Sequence, residues 1–98
     1  MPDARRLRIA MLAHSTNPRG GVVHALELAE ALQHAGHEVA VHAPDPAGRG
    51  FFRPTRCATV SVAAGAAPRD VAAMVGQRVG EYVAHFERVG CAGWDLFH

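Results

Sequence analysis

Only two cysteines occur in 98 residues, Cys57 and Cys91, and they form no Cys-x-x-Cys pair. That excludes a disulfide framework and a thiolate zinc site and leaves free buried thiols as the expectation. A charge bias is missing as well. Ten basic against nine acidic side chains leave a formal net charge of +1, so the chain is neither a disordered polyelectrolyte nor a strongly basic nucleic-acid binder. Long apolar runs are absent: the longest near the start, Ile9 to Ala13, falls far short of the roughly 18 residues needed to cross a bilayer. Arg5 and Arg6 precede that run, but Arg8 and His14 bracket too short a stretch for a signal peptide, and a cytoplasmic location is expected. What is present is a globular composition, 49% hydrophobic and 19% charged, in a chain long enough for one domain or a piece of one.

Leu7, Ile9, Met11 and Leu12 make an apolar run of strand length that stops at Ser15-Thr16-Asn17-Pro18-Arg19-Gly20-Gly21. From Val22 to Ala35 polar residues recur at His24, Glu27, Glu30, Gln33 and His34 among Val23, Leu26, Leu28, Ala29 and Leu32, the pattern of an amphipathic helix. Gly36 suits the left-handed position after that helix, and Val39, Val41 and Ala43 resume in strand rhythm. Residues 44–56 show no period and read as an exposed loop, with Phe51 and Phe52 pinning it to the core. A short strand with Thr59, Val60 and Val62 follows, then Pro68 in the first turn of a second helix. Val71, Val75, Val79, Tyr82, Phe86 and Val89 form one stripe along it, read as core. Gly76 and Gly80 inside that helix would each cost about 1 kcal/mol against Ala, which implies close packing on a neighbour.

Strands alternating with helices predict right-handed parallel crossovers, hence an α/β, Rossmann-like three-layer half domain. The expected strands are Leu7–Ala13, Glu38–Ala43, Ala58–Ala63 and Trp94–Phe97, with the first and last adjacent. Apolar Trp94, Leu96 and Phe97 in the final strand expect further partners, so self-association of the chain is anticipated.

In such a sheet ligands lie beyond the carboxyl ends of the strands, where the loop from Ser15 to Gly21 falls. Glycines admit a ligand to the main chain, the first-turn amides of the helix attract a phosphate, and Arg19 adds a full charge. Asn17, Arg19, Gly20 and Gly21, with His24 in the opening helical turn, are the candidate substrate-binding residues. The loop has neither Gly-x-Gly-x-x-Gly nor Gly-Lys-Ser/Thr, so a dinucleotide fingerprint and a P-loop are both missing. His34-x-x-His37 and His42 are the densest imidazole group, but Gly36 breaks the helix between them and no metal site is expected. Glu27 and Glu30 read as ordinary exposed helix residues, and no carboxylate pair singles itself out for glycoside hydrolysis.

Arg8-Ile-Ala-Met-Leu, Pro18-Arg-Gly-Gly-Val-Val-His, Leu28-Ala-Glu-Ala-Leu, Gly36-His-Glu-Val and Trp94-Asp-Leu-Phe-His, in this order, resemble the amino-terminal domain of family 4 glycosyltransferases of the GT-B fold. The resemblance spans nearly all of the chain. It implies that residues 1–98 are an incomplete acceptor-side domain whose carboxyl-terminal, donor-binding partner domain with its Glu-x₇-Glu pair is absent. It further implies a nucleotide-sugar donor and an acceptor as ligands of the full-length protein, retention of configuration, no cofactor, and no transfer by this chain alone. The family's glycine-rich loop maps by position to Gly20 and Gly21. Its histidine beside the reacting sugar belongs to a His-x-His pattern after the fourth strand, and His98, the first member, is the candidate catalytic residue. The alternative reading is a non-catalytic module whose Gly20-Gly21 loop accepts an anion.

Overall fold

The computed structural model describes residues 6–66 and 68–98. Along the chain these form β1 (Arg8–Leu12), α1 (Gly20–His34), β2 (Glu38–Pro44), β3 (Ala58–Val62), α2 (Val71–Val89) and β4 (Leu96–Phe97). The strands make one four-stranded, all-parallel sheet in the order β3-β2-β1-β4. The first and last strands are neighbours, as doubly wound topology requires. Register runs from Arg8↔Glu38 to Leu12↔His42 between β1 and β2, and Ile9 faces Leu96 across the β1–β4 pair. At the amino end of the sheet Arg8 Nε donates to Glu38 at 2.7 Å across that register, while the Asp95 carboxylate accepts from the Arg8 amide at 2.8 Å.

Side chains alternate along each strand, so the two faces differ. Ile9, Met11, Val39 and Val41 pack with Ala25, Leu26 and Ala29 of α1 into the main core, and Leu26 and Met11 are wholly buried. The other face begins with small Ala10 and Ala40, which leave room for rings. His42 from β2 sits 5.1 Å from the His85 ring, 5.2 Å from Phe86 and 5.6 Å from Trp94, measured between centroids. Gly36 has φ +106° just after the end of α1, the left-handed turn expected of it. Gly93 has φ +94°, a conformation that favours glycine in the turn into β4, and a Cβ there would also push aside the Arg8 guanidinium.

Five expectations change. Helix α1 starts at Gly20 rather than Val22, so both glycines belong to its first turn with Arg19 as N-cap. Helix α2 starts at Val71, after Asp70, whose carboxylate accepts from the Ala73 amide at 2.9 Å; Pro68 lies ahead of the helix instead of in its first turn. Cys57 is buried, but Cys91 is exposed. The valine stripe of α2 is not core: Val71, Val75, Val79 and Val89 are 50 to 68% exposed, and only its Tyr82 and Phe86 reach the sheet with buried His85 between them. The physical reason is length. A 19-residue helix extends about 28 Å, whereas a five-residue strand such as β3 covers about 17 Å, so the amino-terminal half of α2 outruns the sheet. Gly76 and Gly80 lie on the side of α2 turned away from the sheet; among the described residues they have no neighbour within 4 Å of a Cβ position, and the close packing expected of them does not occur there.

Candidate functional site

Beyond the carboxyl ends of the strands, residues 13–19 leave β1 and residues 45–57 leave β2. The two segments are joined where the Phe52 amide donates to the Thr16 carbonyl at 2.9 Å. Between them opens a cleft of about 430 Å³ lined by His14, Ser15, Asn17, Asp45, Arg49, Phe52 and Arg78, among others. Asp45 organises its own loop by accepting from the Gly50 amide at 2.7 Å and the Arg49 amide at 3.3 Å. Arg78 arrives from α2 and donates to Glu81 and, at 3.1 Å, to the Gly65 carbonyl, which holds its guanidinium at the rim.

Of the sequence-derived candidates, Asn17 lines this cleft. Its amide donates to Ser15 Oγ at 3.2 Å, and its carbonyl accepts from the Arg19 amide at 2.8 Å, so the turn is self-supporting. Arg19, Gly20 and Gly21 follow it in the chain at the head of α1, all exposed, and do not themselves line the cleft. Arg19 is extended at φ −95°, ψ 154°, offers no side-chain cap, and is followed by no acidic residue in the first turn. The first intrahelical bond is Val23 N to Arg19 O at 2.8 Å, so the Gly20, Gly21 and Val22 amides precede it; the two glycines are exposed, whereas Val22 is fully buried. His14 packs over this helix end, its Cε1 3.5 Å from where a Cβ on Gly21 would be. His24 is exposed on α1 and does not line the cleft. His98 lengthens the β4 ladder: its amide donates to Ala10 O at 2.9 Å and its carbonyl accepts from Leu12 N at 2.7 Å, which places an exposed imidazole at the carboxyl end of the sheet beside β1. The imidazoles grouped in sequence diverge: His34 is exposed, His37 Nδ1 accepts from the Leu7 amide at 3.1 Å, and His42 is buried.

Sequence reasoning missed His14, Asp45, Arg49 and Arg78. The signals were weak, because two of these come from a segment without periodicity and Arg78 from a helix more than sixty positions downstream of the loop it faces. It also misread Glu30. That carboxylate is gripped by both guanidinium nitrogens of Arg53 at 2.8 Å each and by Thr55 Oγ1 at 2.7 Å, which holds it down at about 2. Phe51 packs against the core behind this clamp, while Phe52 is exposed. The irregular loop is thus fastened to α1 by ions and to the core by a ring. Replacing Glu30 with Ala should raise amide exchange within residues 45–57 roughly tenfold while leaving the strands protected. The clamp should be complete above about pH 4.5 and lost as the pH falls toward 2, the range between the ordinary and the lowered value. Exchange mapped by mass spectrometry at two pH values checks both statements.

Beneath the site lies a second polar network. Tyr82 donates its hydroxyl to the Ala13 carbonyl and lies 3.1 Å from the His42 carbonyl, tying α2 to the ends of β1 and β2. Arg88, which can only donate, is 3.3 Å from His85 Nδ1. His85 therefore carries its proton on Nε2 and donates to His42 Nδ1 at 2.9 Å. His42 Nε2–H is left without a partner among the described residues. Burial first, and then its imidazole neighbour, lower His42 to about 4; burial and Arg88 lower His85 as well.

Compared with protein-family models, with curated proteins and with solved structures, the chain matches none.

Proposed function

We propose that the chain is the acceptor-side half of a retaining glycosyltransferase that uses a nucleotide-sugar donor, and that the cleft beside the head of α1 receives a phosphate-bearing, hydroxyl-rich ligand. The observation that supports this most is that, at the carboxyl end of a doubly wound sheet, an uncapped helix head with exposed Gly20 and Gly21 adjoins, through His14, a cleft edged by Arg49 and Arg78. Glycosyl transfer needs charge stabilisation at a departing diphosphate, and helix-end amides supply such stabilisation without reorganising. Asn17 offers an amide to sugar hydroxyls, and Arg19 adds charge. His98, at the end of β4, is the side chain proposed to stand nearest the reacting sugar. The sugar nucleotide itself would be held mainly by a second domain, so residues 1–98 alone should bind weakly and transfer nothing.

A second reading, an anion-binding module without turnover, draws on the same uncapped helix end. Both readings place inorganic phosphate at Gly20 and Gly21; only the first gives UDP-glucose an advantage over phosphate. A helix end contributes about 0.3–1 kcal/mol at an exposed site, so Gly21→Val, whose branched side chain crowds His14 and screens the amides, should weaken phosphate binding about two- to fivefold. Ala31→Ser, on the exposed side of α1, should leave it unchanged. Calorimetric titrations with phosphate and with UDP-glucose, with folding followed by circular dichroism, test this. Equal binding by both variants would reduce the loop to a simple turn, and sugar transfer by the isolated chain would overturn the division of labour.

A further inference from the structure

The exposed side of α2 carries a feature that neither the fold nor the cleft uses. Ala72, Gly76, Gly80 and Ala84 recur every four residues and are all exposed, so they form a shallow furrow along the helix. Among the described residues nothing outside the helix's own backbone lies within 4 Å of a Cβ on either glycine, although each glycine costs the helix about 1 kcal/mol. Alongside the furrow run Val75, Val79 and Val83, each 53 to 58% exposed. On the flank toward β4 the valine row continues into an apolar groove of about 600 Å³ whose walls include Leu12, Phe86 and Phe97.

We propose that this face is the contact of a two-fold dimer, in which α2 packs antiparallel against α2 of a second copy of the chain. The furrow is palindromic. With the two-fold axis at position 78, Ala72 lies opposite the second copy's Ala84 and Gly76 opposite its Gly80, so small residues meet small residues throughout and the axes can approach to about 8 Å. The same axis brings Arg69, just ahead of the Asp70 N-cap, to the end of the second copy's helix that carries Glu87, at both ends of the contact. Both side chains are exposed, and neither enters an ion pair among the described residues. A two-fold contact must be self-complementary, and this one is so in shape and in charge. A helix of about 28 Å, packed along its length, covers on the order of 500 Å² on each copy, which brings the pair to the roughly 1,000 Å² at which specific interfaces begin. The contact places the association anticipated from the final strand on α2 instead, and it is independent of the proposed activity.

Sedimentation velocity on the full chain across the micromolar range should show a concentration-dependent monomer–dimer equilibrium. Gly76→Leu combined with Gly80→Leu fills the furrow while raising helix propensity, and should weaken dimerisation at least tenfold without lowering the melting temperature. Arg69→Glu and Glu87→Arg should each weaken it, and the two together should restore it, a rescue that a loss of folding would not produce. A monomer at every concentration, a dimer indifferent to the glycine replacements, failure of the charge exchange to rescue, or partition of α2 onto phosphatidylglycerol vesicles in place of dimerisation would each overturn the proposal.

Discussion

Lowering the pH from 7 to 4 should destabilise the chain by about 3 kcal/mol, most of it through His42. An imidazole that titrates near 6.5 when the chain is unfolded is held down to about 4 when folded. Below pH 6.5 the unfolded chain therefore binds a proton that the folded chain refuses, and stability drains away as the pH falls toward 4. The geometry explains the refusal. His42 has the Phe86 and Trp94 rings against it and accepts from His85, and His85 in turn faces the Arg88 guanidinium. A proton on either ring would put a second donor against a donor, and a second positive charge beside Arg88. Because α2 reaches the sheet chiefly through Tyr82, His85 and Phe86, the helix should be the first element to loosen. His42→Asn keeps an acceptor for His85 without the titration and should flatten the stability curve between pH 6.5 and 4. His42→Ala should cost about 2–4 kcal/mol at neutral pH, through a cavity under Phe86 and an orphaned His85 N–H. Urea midpoints measured across this pH range decide the matter; a parallel decline in wild type and His42→Asn would locate the acid sensitivity elsewhere.

Leu26→Ala should destabilise the chain by about 2–5 kcal/mol, a large share of the roughly 5–15 kcal/mol a domain of this kind possesses. Leu26 is fully buried among Ile9, Met11 and Val41, on the face where α1 meets the sheet. Val75→Ala, on the overhanging half of α2, should stay within about 0.5 kcal/mol in dilute solution, since Val75 is 53% exposed. For a chain of this size the first change corresponds to a fall in melting temperature of roughly 10 °C or more, and the second to no more than about 4 °C. Comparable losses from the two variants would mean that α2 packs far more of its valine stripe than the structure describes.

The contrast between these helices marks where sequence reading succeeds and where it runs out. Parallel strands and the adjacency of β1 and β4 follow from alternation and handedness, which are local rules. The start of α1 was misplaced because periodicity begins at Val22, while a first helical turn needs no inward side chain and so hid Gly20 and Gly21. The valine stripe was real, but a stripe shows which side of a helix is apolar, not whether the sheet beneath extends far enough to cover it. His85 is buried because Ala10 and Ala40 leave a hollow, a matter of three-dimensional volume that no period carries. Glu30 falls on a polar stripe in either reading; its partner Arg53 lies 23 residues on, inside the one stretch without pattern. At the cleft, position was legible from topology and Asn17 from its loop, whereas Arg49 and Arg78 come from segments that only folding brings to that edge.

The claim that the head of α1 and the adjoining cleft form a ligand site is tested most directly by amide chemical shifts of the ¹⁵N-labelled chain, titrated first with inorganic phosphate and then with UDP-glucose. The expected result is fast-exchange shifts concentrated at Asn17, Gly20, Gly21 and Val22 with phosphate, extended to Arg49 and Phe52 with UDP-glucose, and abolished at the helix end in Gly21→Val. Shifts scattered over the surface, or confined to residues far from the carboxyl end of the sheet, would contradict it.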